Sequence, residues 1–289
     1  MHIVDNAVIM AAGTSSRFAP LSYERPKALI TVKGEVLIER QIRQLKEAGI
    51  KDIYVVTGYK AEMFSYLEEK LGVHLVHNPE YLTRNNNGSI YAVRNILKNT
   101  YICSADNYFS ANPFEPIVSD CYYAAVYAEG PTKEWCMTYD AEDVICDVQI
   151  GGENAWYMLG HTFWDETFSK KFVEILEAEY DQPETADRLW ESIYIKHIDQ
   201  LKMKVRRYET DVVFEFDTLD ELRAFDETYV SDTRSEILKE AAKELGCSEA
   251  EITEVTAYKD DTNEAAGFSF VYGGKRFVYS YGEGRLRGQ

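Results

Sequence analysis

The sequence predicts an α/β protein built on a doubly wound mixed sheet, with a small α+β appendix at its C-terminus. The first hundred residues alternate short apolar segments, typical of buried parallel strands, with segments whose apolar residues recur at helical spacing. From residue 122 onward, strand-like segments follow one another in hairpin order. A charged helix and a glycine-centred hairpin begin after residue 231. We therefore expect one domain over 1–230 and a second over 231–289.

The first half predicts the alternating part of the sheet. Strands are expected over 3–10, 52–58, 73–77 and 100–104, and helices over 35–48, 61–71 and 87–97. Leu37, Ile38 and Ile42 of the first helix fall at helical spacing, and Gly49 ends that helix. Ligands of such sheets bind at the carboxyl ends of strands, so the loops after residues 10 and 104 are the first places to seek a site.

The second half predicts a mixed insertion followed by the appendix. Strands are expected over 122–128, 136–139, 144–150, 156–163, 204–208 and 212–216, and helices over 166–180, 184–197 and up to about 229. Gly151-Gly152 is predicted to form a turn between two of these strands. In the appendix, a helix over 235–245 ends at Gly246, and Gly273-Gly274 joins the strands of a hairpin.

Composition narrows the class of protein. The 289 residues carry a net charge of −18, which argues against nucleic acid as a partner, because a phosphate-backbone binder needs a basic face. Five scattered cysteines without a C-x-x-C pair argue for a reducing compartment and against a zinc site. No segment has the length and hydrophobicity of a membrane span or a signal peptide. We expect a soluble, cytoplasmic protein with no membrane insertion.

Small residues follow the first predicted strand, in Met10-Ala-Ala-Gly-Thr-Ser-Ser-Arg-Phe-Ala-Pro20. Small side chains let backbone N–H groups approach a polyanion closely, and Arg17 and Lys27 can neutralise its charge. The pattern therefore predicts a phosphate-binding loop. An ordinary strand-to-loop corner is the alternative for this stretch alone.

Two aspartates are candidates for a divalent metal. Asp106 follows the buried strand 100–104, and Asp217 follows the apolar segment 212–216. Carboxylate oxygens are preferred ligands of Mg²⁺, which neutralises charge in phosphoryl and nucleotidyl transfer. A solvated turn aspartate is the alternative for each residue taken singly.

Further short motifs occur in order along the chain, before, between and after these residues. The pieces, which span residues 5 to 229, are the Ala-Ala-Gly-x-x-Ser-Arg and Pro-Lys signature, Pro26-Lys-Ala-Leu29, Leu37-Ile-Glu-Arg-Gln-Ile42, Val56-Thr-Gly-Tyr59, His77-Asn78, Asn85-Asn86 with Ser89, Ser104-Ala-Asp-Asn-Tyr108, Glu134-Trp135, Phe163-Trp-Asp165, Leu189-Trp190-Glu191 and Glu215-Phe-Asp217. Together they resemble the sugar-phosphate and alcohol-phosphate nucleotidyltransferases, and within them the bacterial CTP:phosphocholine cytidylyltransferases. The resemblance implies a Rossmann-like mixed sheet of the nucleotidyltransferase type.

The resemblance also implies an activity and a site. CTP and phosphocholine would give CDP-choline and pyrophosphate, with Mg²⁺ held by Asp106 and Asp217 and with Arg17 and Lys27 on the phosphates. The implied nucleotide pocket comprises Ala11, Ala12, Gly13, Thr14, Ser15, Ser16, Gly58, Tyr59, Asn86 and Ser89. Two departures stand out: many relatives carry a glycine where Ser15 stands and an aromatic residue at Asn87-Gly88.

Aromatic residues point to the acceptor. A quaternary ammonium group is recognised by aromatic faces, because it cannot donate hydrogen bonds. Trp135 and Trp190 stand at positions where the resemblance implies such a choline box, with Glu191 as a carboxylate and Tyr194 one turn after Trp190. A core role is the alternative, and it is the one we expect for Trp156 and Trp164.

The appendix is similar to the opening of choline-kinase-like domains. The pieces that match run from Gly246 through Thr262-Asn263 and Gly267-Phe-Ser-Phe270 to Gly282-Glu-Gly284. No catalytic-loop aspartate follows, and Ser280 stands where relatives usually have a basic residue, so we expect a truncated or vestigial lobe without kinase chemistry. A surface or homodimer role is the alternative.

For the function of the whole protein, two other hypotheses stay open. The protein could be a nucleotidyltransferase for another acceptor (phosphoethanolamine, 2-aminoethylphosphonate or a sugar phosphate), or a catalytically inactive nucleotide-binding regulator.

Overall fold

The computed structural model describes residues 1–260 and 265–288. The strands are β1 (His2–Ile3), β2 (Asn6–Ala11), β3 (Thr31–Val32), β4 (Glu35–Val36), β5 (Ile53–Thr57), β6 (His74–His77), β7 (Thr100–Ser104), β8 (Tyr108–Phe109), β9 (Ile117–Val118), β10 (Tyr122–Tyr139), β11 (Ile145–Trp164), β12 (Lys204–Arg207), β13 (Val213–Phe214), β14 (Thr253–Lys259), β15 (Ala265–Tyr272), β16 (Lys275–Ser280) and β17 (Arg285–Gly288). The α-helices are α1 (Leu21–Glu24), α2 (Leu37–Glu47), α3 (Tyr66–Leu71), α4 (Asn87–Ala92), α5 (Glu166–Glu179), α6 (Trp190–Lys196), α7 (Leu219–Phe225), α8 (Thr228–Ser231) and α9 (Glu236–Leu245). None of these described helices is long and apolar enough to cross a membrane.

The chain divides into two compact units, and each is made of discontinuous segments. The first unit comprises Met1–Gly13 and Leu37–Glu215, and the second comprises Thr14–Val36 and Phe216–Gln289. The boundary expected at residue 231 falls inside the second unit, because residues 14–36 and 216–230 fold together with the C-terminal segment.

The first unit contains the mixed sheet, with strand order β12-β10-β11-β7-β2-β5-β6. Strand β2 runs parallel to β5 and to β7, and β5 runs parallel to β6. Strand β11 is antiparallel to β7 and to β10, which makes the sheet mixed. The α/β fold class predicted from the sequence is confirmed, and the carboxyl ends of β2, β5 and β7 lie at one edge of this sheet.

Helices cover the sheet with apolar faces. In α2, the side chains of Leu37, Ile38 and Ile42 are buried as their spacing predicts. Helix α5 begins where the carboxylate of Asp165 accepts the N–H of Phe168 at 2.8 Å, an N-cap that confirms the predicted start of this helix.

The prediction of a turn at Gly151-Gly152 is wrong. Both glycines lie inside β11, where Gly152 pairs with Thr132 of β10. The connection between β10 and β11 lies instead at residues 140–144, where the Asp140 carboxylate accepts the N–H groups of Glu142 and Val144 at 2.9 Å each. The four strands expected over 122–163 are therefore two long ones. Gly152 serves packing, since a Cβ there would lie 2.9 Å from the sulfur of Cys136.

The helix predicted over 184–197 is shorter than expected. Only Trp190–Lys196 is α-helical, because the backbone is extended at Leu189. The carbonyl groups of Thr185 and Arg188, which precede it, accept the side-chain amide of the fully buried Asn87 at 2.9 and 2.5 Å. A distant side chain thus holds this segment out of a helix.

The second unit holds an antiparallel sheet of order β14-β15-β16-β17 and the helix α9. Gly273 and Gly274 have φ values of 56° and 74°, the left-handed geometry that a two-residue hairpin turn needs, so the predicted hairpin is confirmed. Gly246 ends α9 in the left-handed conformation, also as predicted. Thr262 and Asn263, which contribute to the kinase-like similarity, lie outside the described residues.

Candidate active site

The loops after β2, β5 and β7 meet at one edge of the sheet in the first unit. The N–H of Tyr59 donates to the carbonyl of Ala12 at 3.0 Å, and the N–H of Ala105 donates to the carbonyl of Met10 at 3.1 Å. A Cβ at Gly58 would lie 2.8 Å from the Ala12 oxygen, so the crossing of these loops requires a glycine. The sheet edge is therefore closed by backbone contacts between the predicted nucleotide-binding loops.

The predicted phosphate loop contains both buried and open positions. Ala11 and Ala12 are buried, whereas Gly13 is exposed and has no heavy atom within 4 Å of its Cβ position. Thr14, Ser15 and Ser16 belong to the second unit and are partly exposed. This arrangement leaves the backbone at Gly13 accessible to a ligand.

Ser15 has a backbone conformation that favours glycine. Its φ of 49° and ψ of 44° are left-handed, and Ser15 directly precedes the 3-10 turn Ser16–Phe18. A non-glycine residue there costs about 1 kcal/mol. The loop thus keeps the geometry that a glycine would adopt most easily, although this sequence has a serine.

Asp106 lies just beyond β7 at the same sheet edge. The side-chain amide of buried Gln41 donates to the carbonyls of Ser104 and Asn107 at 2.8 Å each, which fixes the turn that presents Asp106. The aspartate itself is half-buried. Its position at the carboxyl end of a central strand agrees with the expectation for a ligand-binding carboxylate.

A cavity of about 180 Å³ lies in the first unit. Its wall is formed by Met10, Asn86, Ile102, Ser104, Asn107, Tyr123, Met158, Leu159, Gly160, Thr162, Trp190, Glu191 and Glu215. Two carboxylates, two aromatic side chains and several apolar groups thus surround one small space, a combination suited to an organic cation.

Glu191 is held in the cavity wall by two hydrogen bonds. Its Oε2 accepts the Asn86 side-chain amide at 3.0 Å, and its Oε1 accepts the Tyr123 hydroxyl at 3.3 Å. The Asn86 oxygen in turn accepts the N–H of Trp190 at 2.7 Å. Burial raises the pKa of Glu191 to about 7, and the hydrogen bonds from Asn86 and Tyr123 oppose that rise.

Tyr123 links three carboxylates electrostatically. Burial raises the pKa of its hydroxyl well above the ordinary value, and the negative charges of Glu191, Glu215 and Asp106 raise it further. Glu215 and Tyr123 were not predicted as site residues. A glutamate within the apolar run 212–216 was the available sequence signal for Glu215, whereas nothing local marked Tyr123.

The four residues of the expected choline box have different positions. Trp190 and Glu191 line the cavity, and the indole of Trp190 stacks on Tyr123 with ring centroids 5.8 Å apart. Tyr194 is fully buried against Phe168 and is outside the cavity wall. Trp135 is partly exposed on β10, opposite Ile150, and is also outside that wall. The structure therefore brings together one half of the predicted set.

Ser89 and Asn86 of the predicted nucleotide pocket also differ in their surroundings. Asn86 lines the cavity. Ser89 is buried, and its hydroxyl oxygen lies 3.4 Å from the side-chain amide of Asn78. The N–H of Asn78 donates to the carbonyl of Thr57 at the end of β5, so this contact ties α4 to the sheet edge.

The second unit contains the predicted phosphate-binding cations. The guanidinium of Arg17 lies 2.5 Å from Asp217 Oδ2, and the ammonium of Lys27 lies 3.6 Å from Asp217 Oδ1. Lys27 is 4% exposed and its Nζ is 5.6 Å from the centre of the Phe18 ring, whereas Arg17 is exposed. The two carboxylate oxygens of Asp217 thus each pair with one cation.

The donor chemistry fits Mg²⁺. Asp106 of the first unit and Asp217 of the second each offer carboxylate oxygens, the ligand type that Mg²⁺ takes in nucleotide enzymes together with substrate phosphates and water. Within residues 1–260 and 265–288, no group of three or more His, Cys, Asp or Glu side chains gathers as a metal site. Such a metal would therefore depend on the nucleotide for its remaining ligands.

Known proteins are similar to this chain in sequence and in fold. The model of the MobA-like NTP transferase domain matches residues 7–129. A choline-phosphate cytidylyltransferase of Streptococcus pneumoniae is 36% identical over 76% of this chain and 96% of its own length. The chain belongs to the choline-phosphate cytidylyltransferase family. The family and the enzyme class expected from the motifs are thereby confirmed.

Two further comparisons extend this result. The solved structure of the CTP:phosphocholine cytidylyltransferase from Streptococcus pneumoniae matches with a TM-score of 0.75 at 36% identity, covering 78% of this chain and 99% of that one. A 2-aminoethylphosphonate cytidylyltransferase of Lancefieldella rimae is 37% identical over 80% of this chain and 95% of its own length. The names of these relatives share the cytidylyl group and differ in the acceptor.

Proposed function

We propose that the protein transfers the cytidylyl group of CTP to phosphocholine, giving CDP-choline and pyrophosphate. The observation that carries the proposal is the cavity of the first unit, whose wall includes the aromatic residues Trp190 and Tyr123 and the carboxylates of Glu191 and Glu215. A trimethylammonium group needs both features, because it cannot donate hydrogen bonds and must be desolvated on binding.

The reaction needs positioning and charge neutralisation more than covalent chemistry. A phosphocholine oxygen attacks the α-phosphorus of CTP in line, the bond from that phosphorus to the β-phosphate oxygen breaks, and pyrophosphate leaves. Arg17 and Lys27 are the residues that we expect to stabilise the negative charge on the phosphates. Mg²⁺, with Asp106 and Asp217 as its predicted ligands, would add positive charge on the same oxygens.

A second candidate acceptor is 2-aminoethylphosphonate, favoured by the relative from Lancefieldella rimae. Its primary ammonium would donate hydrogen bonds to carboxylates. Both oxygens of Glu191 already accept one hydrogen bond each, from Asn86 and from Tyr123. An ionised carboxylate has about four acceptor positions, so Glu191 can still accept donors, and Glu215 is a second carboxylate in the wall. The choice between the two acceptors therefore depends on the measurement below.

The test is a substrate panel. Pyrophosphate release is measured with each of the four nucleoside triphosphates against phosphocholine, phosphoethanolamine and 2-aminoethylphosphonate, with EDTA and excess Mg²⁺ as paired conditions. We expect turnover with CTP and phosphocholine, loss of it in EDTA and recovery on adding Mg²⁺. A higher kcat/KM with 2-aminoethylphosphonate would replace the acceptor. Silence with every pair would favour a nucleotide-binding regulator.

The setting of the enzyme is part of the proposal. The five cysteines are free thiols, which supports a reducing compartment such as the cytoplasm. A homodimer stays a prediction, and sedimentation analysis would test it.

A further inference from the structure

Glu24 joins residues 14–36, the segment that carries Arg17 and Lys27, to the start of α9. Its carboxylate accepts the Ser235 hydroxyl at 3.0 Å and the N–H groups of Glu236 and Ile237 at 3.2 and 2.8 Å. A carboxylate at a helix N-terminus is stabilised by the N–H groups that the helix leaves unpaired and by the helix dipole. Glu24 lies between Arg17 and Lys27 in the sequence, so this contact fixes the segment that carries both cations.

Three further contacts connect residues 14–36 with the C-terminal segment. The rings of Tyr23 and Tyr281 stack with centroids 3.7 Å apart and planes 9° apart. The 3-10 turn Ser16–Phe18, which contains Arg17, packs against β14. The carbonyl of Thr31 accepts the guanidinium of Arg234 at 2.8 Å. Residues 14–36 are thus held at their beginning, middle and end.

Arg223 makes a comparable connection on the Asp217 side. Its buried guanidinium donates to the carbonyls of Ile252, Glu249 and Tyr229 at 2.6, 2.8 and 3.2 Å. Arg223 lies on α7, whose N-cap Thr218 directly follows Asp217. A buried guanidinium that binds three carbonyls holds the helix after Asp217 to residues 249–252.

The last family motif of this sequence is Glu215-Phe-Asp217. About a quarter of the chain lies outside its alignment with the Streptococcus pneumoniae enzyme, of which 96% is covered. The C-terminal segment is therefore additional to what a relative of this family contains, yet it contacts the two elements that carry Arg17, Lys27 and Asp217.

We propose that the C-terminal segment, residues 232–260 and 265–288, positions the group formed by Arg17, Lys27 and Asp217, with Glu24 and Arg223 as the positioning residues. The inference rests on the proposed function for its kinetic consequence. Fixing the loop before CTP arrives removes the cost of ordering it on binding, so the bracing lowers the KM for CTP. The acceptor cavity is formed by residues of the first unit alone. We therefore expect the KM of the enzyme for phosphocholine to be independent of the contacts made by Glu24 and Arg223.

The first test needs no ligand. Hydrogen–deuterium exchange of the full-length chain is compared for the wild type, Glu24→Ala, Glu24→Gln and the control Glu227→Ala, an exposed glutamate of the same unit. We expect amides of residues 14–36 to exchange about tenfold faster in Glu24→Ala, less so in Glu24→Gln, and at the wild-type rate in the control. Unchanged exchange in Glu24→Ala overturns the proposal. If Glu24→Ala does not fold, the same exchange measurement is made on Tyr281→Leu, which removes the stacking on Tyr23. Unchanged exchange of residues 14–36 in that variant likewise overturns the proposal.

The second test measures both KM values in the same variants. We expect Glu24→Ala to raise the KM for CTP about fivefold and to leave the KM for phosphocholine unchanged. A merely structural role would reduce the folded fraction and lower kcat while both KM values stayed constant, and this result overturns the positioning role. If the wild type releases no pyrophosphate with any substrate pair, the proposed function fails, and the exchange rates still decide whether the segment braces the loop.

Discussion

Gly58 offers the sharpest test of the sheet edge. It follows β5, and a Cβ built there would lie 2.6 and 2.7 Å from Cβ and Cγ of Tyr81 and 2.8 Å from the carbonyl oxygen of Ala12. All three distances are shorter than real side chains tolerate, and one of the partners is backbone, which cannot rotate away. Gly58→Ala must therefore displace the loop after β2 or the segment around Tyr81.

The size of the effect follows from two opposing contributions. Overpacking a tight site costs up to about 3 kcal/mol, and the loss of backbone freedom in the unfolded chain returns about 0.4–1 kcal/mol. We expect Gly58→Ala to lower the free energy of unfolding by about 2 kcal/mol, which for a unit of this size lowers Tm by about 4–8 °C. Because Ala12 belongs to the predicted nucleotide pocket, the KM for CTP should rise as well.

Gly13→Ala is the matched control. Its Cβ would meet no heavy atom within 4 Å, so the free energy of unfolding should stay within about 0.5 kcal/mol of the wild type. The new methyl group would nevertheless stand in the predicted approach of the triphosphate and raise the KM for CTP. Differential scanning fluorimetry and steady-state pyrophosphate release measure both properties. A Tm of Gly58→Ala within 1 °C of the wild type would refute the packing described for this edge.

Three further predictions concern the acceptor cavity and the charged group. Glu191 has a pKa of about 7 and attracts a cation only when it is ionised, so the KM for phosphocholine should fall about tenfold between pH 6 and pH 8. Glu191→Gln should remove this pH dependence. If the dependence persists in the variant, Glu191 is not its cause. Trp190→Phe should raise the KM for phosphocholine about fivefold, whereas Trp135→Phe, outside the cavity wall, should change it less than twofold; equal effects would place both residues in the choline site. Asp217→Asn should lower kcat by about 10²–10³, because it removes the shared counter-charge of two cations and a predicted Mg²⁺ ligand. It should also lower Tm, because the buried ammonium of Lys27 loses this carboxylate. Wild-type turnover in this variant would exclude Asp217 from the reaction.

Several features of the fold were predictable because their causes are local. The strand over 100–104 is observed with the expected bounds, since a short apolar run between polar residues has few alternatives. The turn at Gly273-Gly274 depends on two adjacent residues that accept positive φ. By contrast, β10 and β11 each continue through segments whose sequence resembles a turn. Gly152 is extended there because it pairs with Thr132 and lies close to Cys136, and both partners are on the other strand.

The sequence by itself determined the family and the α/β class, and it singled out the charged residues that we predict for the site. Motifs and periodicity depend on neighbouring positions, and the signature with Arg17, Lys27 and Asp217 is readable without coordinates. Tertiary structure alone decided that Glu191 meets Tyr123 in a cavity and that the wall includes Trp190 without Trp135 or Tyr194. It also decided that Glu24 caps α9, across more than two hundred residues of chain. Such contacts join residues that are far apart in the sequence, so no pattern among neighbouring residues predicts them.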